Sequence, residues 1–172
     1  MKTLTISKRN LVFFSLATVA IIGTILIAMD IRHNATKAKA DDSEVEAAAA
    51  YALSQVLDLD YSEGRQNWEA RVKPLCSEHG WAFWNGMFFA DQIWPVVIER
   101  QYVTENIKVT DARVIGKGPL PDSQIVEVIL EIEYITKDDS PTKGSMPNRI
   151  VMVRDGNSWL LDTPLERWEE TK

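Results

Sequence analysis

Along residues 126–134 the chain alternates with little interruption. Val126, Val128, Leu130, Ile132 and Tyr134 occupy one parity, and Glu127, Glu131 and Glu133 dominate the other. Successive side chains of a strand point to opposite faces, so this segment has one buried face and one wet face. That is the pattern of an antiparallel sheet solvated on one side. A chain built around it must supply something to cover the apolar face, and the upstream sequence supplies helices.

Ser43 and Glu46 have capping-box spacing, which predicts a helix opening at Ser43. Val45, Ala48, Ala49, Ala52, Val56 and Leu59 then form one stripe, and the helix is expected to run to about Asp60. The alanines at 47–50 favour the helix and leave it a thin side that another element approaches closely. The stretch Tyr61–Gln101 holds Trp68, Trp81, Trp84 and Trp94, together with Cys76 and His79. Large aromatics bury more apolar area than any other side chain, so a core is expected to form here. A second helix starting near Ser62 or Glu63 buries Trp68, Val72 and Leu75 and ends at Pro74. Ser77 caps a third that buries Trp81, Trp84 and Phe88, and a fourth starts at Asp91 or Gln92 with Pro95 in its first turn.

From Tyr102 the period changes to two. Val103, Glu105, Ile107 and Val109 share a parity, and the Gly- and Pro-rich residues 116–122 mark a turn before the strand at 126–134. Residues 137–147 read as a polar loop. Ile150, Met152, Trp159 and Leu161 form a last hairpin around Asp155-Gly156-Asn157, and Leu165 and Trp168 anchor an acidic tail. Helices followed by an antiparallel meander give an α+β domain over 43–172, with Trp81, Trp84, Val128, Leu130 and Trp159 in its core.

The 42 residues before it have another character. Residues 1–10 are short and basic, and 11–29 form an uncharged run of 19, long enough to cross a bilayer as a helix. Residues 30–42 form a polar linker. Ala38-Lys39-Ala40 also fits a signal-peptide cleavage site, but it lies well past an apolar run longer than a signal core. The expectation is therefore an uncleaved anchor, with the basic end inside and the domain exported, in a bacterium to the periplasm. Residues 1–40 carry six Lys/Arg and one Asp; the remainder carries 13 Lys/Arg against 24 Asp/Glu. An acidic domain of this kind is not expected to bind nucleic acid directly, since phosphate binding needs a concentration of Lys and Arg.

Asp60-Tyr61, Asn67-Trp68, Gly80-Trp81 with Phe83 beyond, and Ile98 give the chain a closer likeness. In these residues it resembles the DotI/IcmL family, bitopic inner-membrane components of type IV secretion and conjugation systems, similar to the VirB-type scaffold. Cys76-Ser77 stands where that family usually has an aromatic and a threonine. The resemblance implies a cone-shaped periplasmic domain of nuclear-transport-factor-2-like fold. It also implies a non-catalytic role, exercised through self-association and contacts with other envelope proteins of the apparatus.

Chemistry is thinly represented. Cys76 and His79 offer two metal ligands where structural zinc needs four, and no phosphate-binding glycine motif is present. Neither a cofactor nor a metal is expected, and His79 reads as a surface or capping side chain. The lone Cys76 reads as a buried structural thiol. Partner contacts are expected at Glu127, Glu131, Glu133, Asp138 and Asp139, where charge selects partners more than it adds affinity. Two other readings stay open: a ligand-binding or enzymatic cone, and an accessory protein of another envelope transporter.

Overall fold

A computed structural model describes residues 39–89, 93–138 and 141–169. The chain divides into two units, 1–41 and 42–172, and the account below concerns the second. The apolar run 11–29 lies outside the described residues; among those described, no helix is long and apolar enough to cross a membrane.

The first helix, α1, covers residues 39–57. It buries Val45, Ala49, Ala52, Leu53 and Val56. The helix is already under way at residue 39, so Ser43 does not open it and the expected capping box is absent. A capping box needs unbonded N–H groups at a helix start, and by Ser43 the turn behind it is already helical. Glu46 serves elsewhere: its Oε1 accepts the backbone N–H of Val114, 3.0 Å away on the first strand. The helix stops at 57 and not at Asp60 because Thr104 intervenes. Its hydroxyl donates to the Leu57 carbonyl at 3.1 Å and accepts from the Leu59 N–H at 3.1 Å.

Helix α2, Arg65–Val72, starts after Gly64, whose φ of 80° only glycine adopts without strain. It buries Trp68 and Val72 and gives way to a short 3₁₀ turn, Lys73–Leu75, at Pro74. Arg71 ties α2 to the end of α1. Its Nη1 reaches the Gln55 carbonyl at 2.9 Å, and its Nη2 reaches the Asp58 carbonyl at 2.8 Å and Glu63 Oε2 at 2.9 Å. Helix α3 spans Glu78–Phe89, and α4 spans Trp94–Arg100 with Pro95 in its first turn as expected. The expected α4 start, at Asp91 or Gln92, lies outside the described residues, as does the side chain of Phe88.

The sheet is an antiparallel meander in the order β1-β2-β3-β4: Val103–Lys117, Ser123–Ile135, Thr142–Asp155 and Ser158–Pro164. Val126, Val128, Leu130 and Ile132 of β2 are all buried, as their parity requires. With Ile150, Met152, Trp159 and Leu161 they meet α1, Trp68 and Trp84 in one core. Three bulges interrupt β1, between Thr104 and Asn106, Val109 and Asp111, and Val114 and Gly116. Each bulge adds a residue and sharpens the local twist.

Part of the expected polar loop at 137–147 is strand: β3 begins at Thr142, and Pro147 pairs with Ile129 inside it. The sequence hides this because proline does not sit in a central strand. Pairing of β3 with β4 begins only at Ile150, so around Pro147 β3 has a neighbour on one side. The last hairpin closes on Gly156 and Asn157. Gly156 has φ 59° and Asn157 is not in the positive region, the sense of a type II′ turn. The tail is more ordered than expected, with α5 at Leu165–Glu169.

Candidate functional site

The best-connected polar cluster joins α3 to β4, and Asp162 is its centre. Asp162 is a carboxylate on a core strand with 1% of its side chain exposed. A buried charge persists only where hydrogen bonds replace its water. Ser77 Oγ donates to Oδ2 at 2.6 Å, His79 Nδ1 lies 2.9 Å from Oδ1, and Thr163 Oγ1 donates to Oδ1 at 3.2 Å. An ionised carboxylate has only acceptors, so Nδ1 carries the hydrogen in that pair. The Ser77 hydroxyl oxygen in turn accepts the Gly80 N–H at 2.8 Å. Ser77 is thus the N-cap expected of it and also the bridge to β4.

The backbone closes the same joint. Ser77 N–H donates to the Leu161 carbonyl at 2.9 Å, and Trp84 Nε1 donates to the Asp162 carbonyl at 2.6 Å. Gly80 packs so tightly that a β-carbon there would overlap the Leu161 carbonyl oxygen and sit 2.7 Å from Asp162 Cα. On the outside the Trp168 ring of α5 lies 5.4 Å from the His79 ring.

The hydrogen bonds make this cluster a joint between α3 and β4. The Ser77 proton is committed to Asp162 and its oxygen to Gly80, so the hydroxyl is not poised as a nucleophile. His79 contacts Asp162 through Nδ1, and its side chain is 60% exposed. Cys76 is buried, and its pKa is pushed up to about 12 by burial first and by the Asp162 charge second. A thiol held protonated is a poor nucleophile. Among the described residues, no group of three or more His, Cys, Asp or Glu side chains converges as metal ligands.

The tryptophans divide. Trp68, Trp84 and Trp159 are buried, whereas Trp81 and Trp94 are only partly so and pack against the core from outside. Trp81 therefore departs from its expected place in the core. It lies 6.0 Å from Trp68, with Lys73 Nζ over its ring 5.9 Å from the centroid, within reach of a cation–π contact. Trp68 Nε1 donates to the Val56 carbonyl at 3.1 Å.

Glu127, Glu131 and Glu133 lie on the wet face of β2 as expected, but each has a cross-strand cation. Glu127 accepts from Arg113 Nε at 3.0 Å, Glu131 lies 3.6 Å from Lys108, and Glu133 lies 3.1 Å from Lys143. The Glu127 contact also holds the Arg113 guanidinium above its ordinary range. The face is a ladder of opposite charges and not an acidic one. Asp138 is exposed in the loop after β2, apart from that ladder, and Asp139 lies outside the described residues.

Asp162 itself escaped the sequence reading. Its signal lies in the sequence: an acid directly after the apolar run Trp159-Leu160-Leu161 of a strand must find partners. Those partners, Ser77 and His79, are more than 80 residues earlier.

No family model matches the chain, and no curated protein matches it. Among solved structures it is similar to a periplasmic fragment of TraM, with a TM-score of 0.55 and 13% identity over 72% of this chain and 94% of that one. At this identity the likeness is one of fold.

Proposed function

We propose that the protein is a bitopic inner-membrane component of a type IV secretion or conjugation apparatus. It acts in the periplasm through self-association and contacts with other envelope proteins, without turnover of its own. The observation that carries this reading is the shared fold with a periplasmic fragment of TraM, a conjugation protein, over 94% of that fragment. The uncharged run 11–29 adds an anchor consistent with the same place, since it is long enough to span a bilayer.

The chemistry of the domain supports a structural role. The one buried carboxylate among the described residues joins α3 to β4, and the glutamates of β2 pair with cations across strands. A membrane anchor confines such domains to a layer, which raises their effective concentration and lets weak contacts suffice.

Complementation tests this reading. Deletion of the gene is expected to abolish conjugative transfer or secretion, and the full chain to restore it. A soluble version beginning at residue 41 is expected to fail. Restoration by that soluble version would remove the anchored-component reading.

A further inference from the structure

A sheet edge offers unpaired backbone groups to any extended chain, and folds blunt their edges for that reason. This sheet blunts all but one. β1 carries three bulges, and the Glu46 carboxylate of α1 takes its Val114 N–H. β4 is covered on its outer side by the joint with α3 and by the bridge from Cys76 to Leu161. β3 differs. Its pairing with β2 runs without a register shift from Val153 to Thr142, and β4 joins it only from Ile150. Residues 143–147 are therefore an unbulged, exposed edge with no strand beside them among the described residues. Ile129 shows which of their backbone groups face outward. It directs its carbonyl to β1, where Thr110 Oγ1 donates to it at 3.2 Å, so its partner Pro147 turns away from β2. That is also where the missing N–H of a proline costs no ladder bond. By the alternation of the ladder, the N–H and C=O groups of Lys143 and Ser145 and the carbonyl of Pro147 point outward.

Such an edge is answered by another extended strand. We propose that two copies of this chain pair antiparallel through residues 143–147 about a two-fold axis at Ser145, joining their four-stranded sheets edge to edge. In that register the Ser145 N–H and C=O groups exchange hydrogen bonds across the axis, and each Lys143 N–H donates to the other copy's Pro147 carbonyl. Every outward donor of the strip is then satisfied. Met146, 43% exposed, comes opposite Gly144 of the other copy, where a β-carbon would meet nothing within 4 Å. These two form a pair without backbone bonds to each other, the kind in which side chains approach most closely. Charge agrees with the same register. Lys143 is the one charged residue of the strip, it lies 3.1 Å from Glu133 of its own chain, and it faces Pro147, so no like charges meet. A foreign strand matches the backbone groups alone, whereas a second copy matches the side chains as well. The contact is isologous and closes on itself. This inference rests on the proposed self-association and names its surface.

The test uses the full chain in mild detergent, with mass and self-association measured for wild type, Ser145→Pro and Gly144→Glu. Ser145→Pro removes the central outward N–H and leaves the bonds to β2, as Pro147 does. It is expected to weaken self-association roughly tenfold or more, through loss of the hydrogen bonds exchanged at the axis. Gly144→Glu sets a charge opposite Met146, in space that is open in the single copy, and is expected to weaken it similarly. Two differently tagged copies, one Gly144→Cys and the other Met146→Cys, are expected to form a mixed disulfide on oxidation, since Cα atoms of such a pair lie about 4.5 Å apart. Thermal melts check folding, and a Ser145→Pro chain that does not fold leaves Gly144→Glu and the disulfide to decide. A wild-type oligomer that keeps its mass and affinity in both variants and gives no mixed disulfide overturns the edge pairing while leaving self-association standing. Weakened association and the mixed disulfide must appear together; either one alone overturns the two-fold register. Unchanged self-association with lost capture of another envelope protein assigns the edge to that partner and equally overturns the proposal. A monomeric wild type removes self-association and the edge pairing together.

Discussion

Trp68 has no exposed surface, and its indole N–H is satisfied by the Val56 carbonyl 3.1 Å away, so it fixes α2 against α1 by both packing and a directed bond. Trp68→Ala leaves a large cavity and an unpaired carbonyl, and is expected to cost about 3–5 kcal/mol. Trp81→Ala, at a half-buried position, is expected to cost clearly less; chemical denaturation of both variants measures the difference. Cys76 makes a second residue-level prediction. Enclosed and held protonated, it is expected to alkylate roughly a hundredfold more slowly at pH 8 in the native protein than in denaturant. Its raised pKa also fixes a sign. Between about pH 9 and about pH 12 the unfolded thiol has lost its proton while the folded one keeps it. The folded state binds more protons, so stability falls as pH rises through that window. Wild type is therefore expected to lose stability over that range faster than Cys76→Ala, measured by denaturation at each pH. Equal slopes would mean that the thiol is not held protonated.

Between elements, the docking of α3 on β4 carries the tightest constraint. Gly80→Ala puts a methyl into the backbone at Leu161 and Asp162, neither of which moves without breaking the strand. Overpacking of this kind costs roughly 1–3 kcal/mol or more. It is also expected to separate His79 from Asp162, which a change in the His79 imidazole chemical shifts would reveal; unchanged shifts and stability would mean the joint is loose. The sequence exposed one side of this joint and not the other. Ser77 was legible as a cap because capping chemistry is local. Asp162 was not paired in advance, because its partners come from a helix start far away in the chain. Local rules likewise read β2 correctly, since five residues of one parity share one face. They missed the first half of β3, where a one-sided neighbour tolerates Pro147. They placed the opening of α1 at Ser43, where a capping pattern lies inside a helix that had already begun. The glutamates were placed on the right face, but not their partners, which come from β1 and β3.

At the scale of the whole molecule, the domain offers a joint between α3 and β4 and a charge-balanced sheet face, and the sequence before it holds an uncharged run of bilayer length. The cross-strand ladder is exposed and contributes little to stability, since solvent and salt screen such pairs and holding two long side chains costs entropy. Arg113→Ala is accordingly expected to leave the melting temperature nearly unchanged while unbalancing the charge on that face. Salt is expected to weaken contacts made through the ladder, because screening acts on exposed charges. The central claim is that an anchored, non-catalytic protein works by assembling. The mass of the full chain, extracted from its native membrane in mild detergent, tests it most directly. The account predicts a membrane-bound species several times the 19.5 kDa of one chain, either a homo-oligomer or a larger complex. A protein that leaves the membrane on carbonate washing and runs at 19.5 kDa would contradict it.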